Sequence, residues 1–202
     1  MKSEDFTNIT QPNVYHDRSL DMMATKILPG EFYVTKRSMM IVTVLGSCVS
    51  TCMRDPDNLI GGMNHFMWPQ HGGDPKSPVS MSARYGAYAM EVLINQLLSL
   101  GAKRDRLEAK VFGGGRVLAG MTDVGKRNAE FVREYLRQER IKIIAEDLGN
   151  TFPRKVYFFP QNGKVMVKQL RTLHNDTIYT REKHYAAQLD VVSVTGAADL
   201  FK

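Results

Sequence analysis

Cysteine is scarce in this chain, and that scarcity limits how the protein can be stabilised. Only two cysteines occur among 202 residues, Cys48 and Cys52. On an extended strand that rises about 3.3 Å per residue they would lie about 13 Å apart, which is beyond the reach of a disulfide. Together with the histidines they do not show the paired ligand spacing of structural zinc. We therefore expect a reducing compartment and no metal site.

Long apolar runs are also missing. No run of about 18 apolar residues, the length that suggests a membrane-spanning helix, occurs in the sequence. The N-terminal stretch MKSEDFTNIT lacks the apolar segment of a signal peptide. With 43% hydrophobic and 24% charged residues, the composition is that of ordinary globular proteins. A cytoplasmic protein without membrane insertion is expected.

Positive charge is in excess but is not concentrated. The net charge is +6, and the lysines and arginines are scattered without a recognised nucleic-acid-binding motif. Nucleic-acid binding is therefore not expected. An acidic protein partner explains the charge equally well.

The chain divides into three parts by composition. Residues 1–25 are polar and unpatterned, which predicts a flexible N-terminal arm. Residues 26–170 form the predicted core, in which strands, two hairpins and two amphipathic helices follow one another; the helices are expected from Ser80 to Gly101 and from Thr122 or Asp123 onward. Residues 171–202 form a C-terminal extension without a clear period, which either docks as a helix or strand or stays mobile.

One predicted hairpin brings a cysteine close to a histidine. The segments CVSTCMRD and LIGGMNHFMW flank a turn at residues 55–58. If the turn is centred between Pro56 and Asp57, Cys48 faces His65 across the two strands. Opposed residues have Cβ atoms about 4.5–5.5 Å apart, which allows a thiol to share a proton with an imidazole. The alternative is that Cys48 is a buried apolar residue, which is the role expected for Cys52.

A cysteine–histidine pair needs further groups to catalyse a reaction. A third side chain must orient the histidine, and Thr43, Asn64 and Ser47 are the local options. Hydrogen-bond donors must stabilise a tetrahedral oxyanion, and the candidates are backbone N–H groups at Cys48 or in the loop Gly113-Gly114-Gly115. A phosphate-binding P-loop would have a Lys-Ser/Thr pair after its glycines, and this loop has none. The alternative interpretation of the loop is a tight bend of the backbone.

The segment after the histidine has two interpretations. MWPQHGGDPKSP contains an amphipathic Trp68 and the flexible pair Gly72-Gly73, and it is predicted either as one wall of a substrate groove or as an ordinary surface crossover.

Taken in order, these stretches resemble the CheD family of chemoreceptor glutamine deamidases from bacterial chemotaxis. The resemblance covers residues 26–170 and is carried by five separated segments: LGSCVSTCMRDP, IGGMNHFMWP, AKVFGGG, VGKRNAEFVREYL and IAEDLGNTFPRKVYFFPQNGKVMVKQL. It implies an α/β fold, a layered α-β-β sandwich of the cysteine deamidase type that is distantly papain-like.

The resemblance also implies a reaction and a set of residues. The nucleophile falls on Cys48, the general base on His65 and the third catalytic position on Thr43, with Ser47, Gly113 and Gly114 as substrate-binding or oxyanion residues. The implied activity converts glutamines on the cytoplasmic helices of methyl-accepting chemoreceptors to glutamate, without a metal or organic cofactor. A CheC-type phosphatase is an implied partner. The rival interpretation is a catalytically weak adaptor that binds receptor or CheC.

Overall fold

The computed structural model describes residues 5–8, 11–67, 81–117, 124–170 and 176–195. The predicted groove wall at Trp68 and Gly72-Gly73 lies outside these residues, as do both predicted start points of the second helix. No helix in the described part of the chain is both long enough and apolar enough to cross a membrane.

Eleven strands and three α-helices are present in the described residues. In chain order they are β1 (Asp5–Thr7), β2 (Asn13–Asp17), β3 (Met22–Lys26), β4 (Phe32–Thr35), β5 (Met40–Leu45), β6 (Val49–Asp55), β7 (Ile60–Asn64), α1 (Met81–Ser99), β8 (Glu108–Gly113), α2 (Val124–Gln138), β9 (Lys142–Leu148), β10 (Arg154–Phe158), β11 (Val165–Gln169) and α3 (Asp176–Thr195).

The strands form two sheets that pack face to face. The first sheet has the order β1-β4-β7-β6-β8-β9 and the second has the order β11-β10-β5-β3-β2. One apolar cluster lies between the first sheet and helices α1 and α2, and another lies between the two sheets. The three layers are therefore helices, sheet and sheet, and the predicted α/β fold in an α-β-β sandwich is confirmed.

Strand alternation directs three polar side chains into the layer between the sheets. On β5, Ile41 and Leu45 belong to the inter-sheet cluster, so Thr43 points the same way. Met63 on β7 also faces that layer, and His65 follows it by two residues. Cys48 itself is part of the inter-sheet cluster. The period of two thus brings a threonine from one sheet towards a histidine from the other.

The two predicted helices of the core are confirmed. Helix α1 buries Met90, Ile94 and Leu97 against the first sheet, and Gly101 follows its end with a φ of 105°. Positive φ costs glycine little, which is why it is common after a helix C-terminus. Helix α2 buries its predicted apolar face, which comprises Ala129, Val132 and Leu136.

The N-terminal region differs from the flexible arm predicted for residues 1–25. Strand β2 pairs antiparallel with β3, and β3 pairs parallel with β5 at the edge of the second sheet. Ala24 is fully buried there in a small cluster with Met40 and Val42. The strands are short and half exposed, so their apolar period was too brief to be recognised in the sequence.

The first hairpin has a turn one residue further along than predicted. Asp55 pairs with Ile60, and the carboxylate of Asp55 accepts hydrogen bonds from the backbone N–H groups of Asp57 and Asn58. Leu59 closes the turn with a φ of 53°. The side chain of Asp55 therefore fixes a turn over residues 56–59 by mimicking a backbone acceptor.

The predicted direct pairing of Cys48 with His65 is consequently wrong. The ladder joins Val49 to Phe66, and continuing that register sets Ser50 opposite His65. The position opposite Cys48 therefore lies two residues beyond His65. A shift by two residues keeps both side chains on the same face of the sheet. Cys48 and His65 are therefore diagonal neighbours on one face of the sheet.

Candidate active site

Residues 46–48 form a sharp connection between β5 of one sheet and β6 of the other. The connection is held by α2, where the side-chain amide of Asn128 donates to the carbonyl of Ser47 at 2.8 Å. Gly46 must be a glycine, because a Cβ there would lie 2.6 Å from a methyl group of Val117 and 2.7 Å from a carboxylate oxygen of Glu182. The turn therefore has no room for a side chain at Gly46, where Val117 and Glu182 already lie.

The glycine loop after β8 braces this turn. Gly114 donates its backbone N–H to the carbonyl of Cys48, and Gly115 donates to the carbonyl of Gly46, each at 2.8 Å. Gly113 has a φ of 109°, and a Cβ on it would lie 2.1 Å from the Cys48 carbonyl oxygen. The N–H of Gly114 is therefore bound to the backbone in this arrangement, and Gly113 is needed for close backbone approach. The oxyanion role of these two glycines stays a prediction.

Three functional side chains converge beside this turn. The sulfur of Cys48, a ring nitrogen of His65 and a carboxylate oxygen of Glu182 all lie within 4.8 Å of one another. All three residues are buried, Cys48 to 0% exposure and the other two to 1%. The predicted meeting of Cys48 and His65 is observed, although by diagonal rather than direct pairing.

Thr43 fixes the orientation and the tautomer of the histidine. Its hydroxyl oxygen lies 2.7 Å from Nδ1 of His65 and 2.9 Å from the carbonyl oxygen of Ile27, to which it donates. A hydroxyl has one hydrogen, so towards the ring it must accept, and Nδ1 must carry the proton. Nε2 is then the nitrogen with a free lone pair, and it is buried without a hydrogen-bond partner among the described residues. The network therefore leaves one basic nitrogen in the site.

The other two local options for the third group have different partners. Asn64 accepts from the backbone N–H of Thr51 and donates to the carbonyl of Ala89, so it joins β6 and β7 to α1. The Ser47 hydroxyl donates to the carboxylate of Glu182 at 2.6 Å. Only Thr43, among the three options, is seen bound to the histidine ring.

Burial dominates the electrostatics of the pair. It raises the pKa of the Cys48 thiol, and the neighbouring Glu182 carboxylate raises it further by its charge and by accepting a hydrogen bond from the thiol. Burial also lowers the pKa of His65 to about 3, with a smaller contribution from the positive charge of Arg181. Both groups are therefore neutral at physiological pH in this arrangement.

Glu182 is the functional residue that the sequence did not indicate. It lies on α3, and its carboxylate accepts hydrogen bonds from the backbone N–H groups of Gly46 at 2.8 Å, Ser47 at 2.8 Å and Cys48 at 3.2 Å. A glutamate in the polar stretch TREKHY has the pattern of an exposed helical residue, so nothing in the sequence separates it from its neighbours. Its role depends on a contact between residues 134 to 136 positions apart.

The same three side chains resemble a metal-binding set. Cysteine, histidine and glutamate are all ligands of zinc. However, the carboxylate of Glu182 already accepts hydrogen bonds from three backbone N–H groups and from the Ser47 hydroxyl, in addition to the one from the Cys48 thiol. These bonds occupy the lone pairs that a cation would need. The donor set therefore fits a hydrogen-bonded carboxylate better than a metal centre.

Cys52 has the structural role predicted for it. It is 1% exposed in the inter-sheet cluster, and burial raises its pKa well above that of an ordinary thiol. Both cysteines are free thiols. Cys52 therefore provides a matched control for any test of Cys48.

Comparison with known proteins places these features in a family. The family model "CheD chemotactic sensory transduction" matches residues 67–169. The chain is 61% identical over 191 residues to a probable chemoreceptor glutamine deamidase CheD of Janthinobacterium sp. (strain Marseille), covering 94% of each chain. It is 60% identical over 191 residues to the protein of the same name from Thiobacillus denitrificans, covering 94% of this chain and 95% of that one.

A solved structure is more distantly similar. Neisseria meningitidis protein NMB0706, of family model DUF152, aligns with a TM-score of 0.38 and 13% identity over 67% of this chain and 62% of that chain. A similarity at that level does not define the fold, which rests on the strand order of the two sheets. The family match and the identity to the curated relatives are decisive for membership. The chain belongs to the CheD family.

Proposed function

We propose that this protein is a chemoreceptor glutamine deamidase, in which Cys48 is the nucleophile and His65 is the general base and acid. The observation that carries the proposal is the Thr43–His65–Cys48 arrangement, because it leaves the unprotonated Nε2 of the histidine as the free nitrogen beside a thiol. The relatives from Janthinobacterium and Thiobacillus carry the same activity in their names.

The first half of the reaction forms a thioester. Nε2 of His65 removes the thiol proton of Cys48, and the thiolate attacks the side-chain amide carbon of a glutamine. The carbonyl oxygen becomes an oxyanion, which the backbone N–H groups of residues 46–48 and the Ser47 hydroxyl can stabilise, since they already bind a carboxylate. The protonated His65 then donates its proton to the departing nitrogen, and ammonia leaves.

The second half hydrolyses the thioester. His65 Nε2 removes a proton from water, the resulting hydroxide attacks the thioester carbon, and the Cys48 sulfur leaves and recovers its proton from the imidazolium. The product is a glutamate side chain. Thr43 holds Nδ1 throughout, which leaves Nε2 as the ring nitrogen available for proton transfer.

The substrates in this proposal are glutamines on the cytoplasmic helices of methyl-accepting chemoreceptors, and the enzyme acts in the cytoplasm. A CheC-type phosphatase is the proposed partner beyond the receptor. A net charge of +6 suits acidic receptor helices.

Ammonia release from a purified receptor fragment tests the proposal. Cys48→Ala should abolish release because the thiolate supplies the covalent step, whereas Cys52→Ala, which removes an equally buried thiol from the same cluster, should retain most of it. Equal loss in both variants would contradict the roles assigned to the two cysteines. Crosslinking of the receptor alongside ammonia release would indicate transglutamination, whereas backbone cleavage without ammonia release would indicate proteolysis. Normal receptor binding without turnover in the wild type would indicate the adaptor.

A further inference from the structure

Helix α3 presents a glutamate to the active site. Glu182 is 1% exposed, whereas Lys183 and His184 beside it are exposed. On the same helix Ala186 is buried, and Tyr185 is half-buried against Gly30 with its hydroxyl bonded to that of Tyr85. Among the side chains of α3 that the structure describes, that of Glu182 is the one that binds the turn at residues 46–48.

That carboxylate occupies the hydrogen-bond donors that catalysis needs. Its two oxygens take the N–H groups of three consecutive residues at the nucleophile and the hydroxyl of Ser47. An oxyanion formed on a substrate amide would require donors in the same place. A substrate carbonyl and the Glu182 carboxylate cannot occupy these donors together.

We propose that α3 is an intramolecular occupant of the substrate site, with Glu182 in the position of the product glutamate, so that the helix keeps the enzyme closed until a substrate helix displaces it. The proposal rests on the proposed deamidase function. A glutamate on an α-helix has the chemistry of the reaction's product, a deamidated glutamine on a receptor helix. The substrate class that competes for the site is thus a helix that presents a glutamine side chain.

The closed state explains the condition of the nucleophile. Cys48 is 0% exposed, which leaves no path for a protein side chain to reach its sulfur. The Glu182 carboxylate also favours the neutral thiol, because its negative charge raises the pKa of Cys48. Removing this carboxylate should therefore make Cys48 both more accessible and more acidic.

A purely structural role for Glu182 predicts the opposite outcome. If the carboxylate only satisfies the N–H groups of the turn, its loss leaves buried donors unpaired, which destabilises the turn and lowers activity. A helix that blocks the site predicts higher activity when its anchor is removed. The direction of the change therefore separates the two roles.

The experiment compares the full-length wild type with Glu182→Ala and with Gln188→Ala, an exposed control on the same helix. Cys48 alkylation by iodoacetamide and deamidation of a receptor fragment are measured side by side. We expect Glu182→Ala to accelerate both by at least about tenfold, since hydrogen bonds to a charged group are individually worth about a tenfold factor or more. Gln188→Ala should match the wild type, and Cys52 should stay unreactive.

Alkylation and deamidation together distinguish a failure of the proposal for α3 from a failure of the proposed deamidase function. If alkylation accelerates in Glu182→Ala but no variant deamidates the receptor, α3 closes the site and the deamidase function is contradicted. If the wild type deamidates the receptor and Glu182→Ala shows unchanged or slower alkylation and turnover, the function stands and the occupancy of the site by α3 is overturned.

A second variant keeps the size of the side chain and tests its position directly. Glu182→Gln presents the substrate's own amide to Cys48, so the protein should convert it to glutamate, with ammonia released and water consumed. Peptide mass spectrometry should show this conversion in Glu182→Gln and its absence in the double variant with Cys48→Ala. An amide that persists at position 182 in an enzyme that deamidates the receptor would contradict the placement of α3 in the substrate site.

Discussion

At the scale of single residues, the site depends on the state of one imidazole. Thr43 accepts from Nδ1 of His65 and donates to the carbonyl of Ile27, so the proton is on Nδ1 and the lone pair is on Nε2. A single hydroxyl therefore determines which nitrogen can act as the base.

Replacing Thr43 tests this positioning role. Thr43→Val keeps the shape of the side chain but removes the hydroxyl, so both ring tautomers become accessible. We expect kcat/KM for deamidation to fall by about tenfold or more, the equivalent of roughly one lost hydrogen bond. Thr43→Ser retains the hydroxyl and should recover most of the rate. If the serine variant is as slow as the valine variant, Thr43 acts through packing instead.

The buried imidazole also predicts a pH dependence of stability. Burial lowers the pKa of His65 to about 3 in the folded chain, from an ordinary value of 6.5. Between these values the unfolded state binds a proton that the folded state does not, so the contribution of His65 is complete above 6.5 and is lost as the pH falls towards 3.

Urea unfolding at pH 7.5 and at pH 5 checks this sign. The wild type should lose about 2 kcal/mol more stability on acidification than His65→Asn, at about 1.4 kcal/mol for each pH unit below the unfolded pKa. Comparing the two losses cancels the contributions of the other carboxylates and histidines. Equal losses in the two proteins would show that His65 is not held neutral.

At the scale of structural elements, the loop after β8 determines the shape of the turn at residues 46–48. Gly113→Ala places a Cβ 2.1 Å from the Cys48 carbonyl oxygen at a φ of 109°. We expect it to cost about 4 kcal/mol or more of unfolding free energy, because both strain and a backbone clash oppose it. Gly149→Ala is the matched control, since its φ is 82° but nothing lies within 4 Å of the added Cβ.

Gly149→Ala should lower the free energy of unfolding only by the backbone strain of the left-handed region, about 1–2 kcal/mol. Both variants are compared by denaturant unfolding, together with the receptor deamidation rate. The role of the loop as a brace is contradicted if Gly113→Ala is no more destabilised than Gly149→Ala and deamidates at the wild-type rate.

Element types were predictable from the sequence where the apolar period was long. In the helices α1 and α2 and in the strands of the two hairpins, apolar residues recur at the spacing that places them on one buried face. The register of the first hairpin was not predictable, because the side chain of Asp55 moves the turn by one residue. Cys48 and His65 are close in spite of this error, because side chains two residues apart on a strand lie on the same face.

At the scale of the whole molecule, the missed features are those that depend on distant contacts. Strand β3 pairs with β5 and β2 pairs with β3. Helix α3 is recognisable as part of the site only because Glu182 reaches the turn at residues 46–48. Neither contact has a local sequence pattern. The family resemblance predicts Cys48 as the nucleophile, but it did not indicate that Glu182 of α3 binds the turn beside it.

In the proposed reaction, Cys48 and His65 convert a receptor glutamine to glutamate through a thioester that water hydrolyses. The direct test is peptide mass spectrometry of a receptor cytoplasmic fragment incubated with the enzyme in heavy-oxygen water. We expect specific glutamines to become glutamates carrying one heavy oxygen with the wild type and with Cys52→Ala, and to remain glutamines with Cys48→Ala. Conversion that continues without Cys48, or a wild type and a Glu182→Ala variant that both leave every glutamine unchanged, would contradict it.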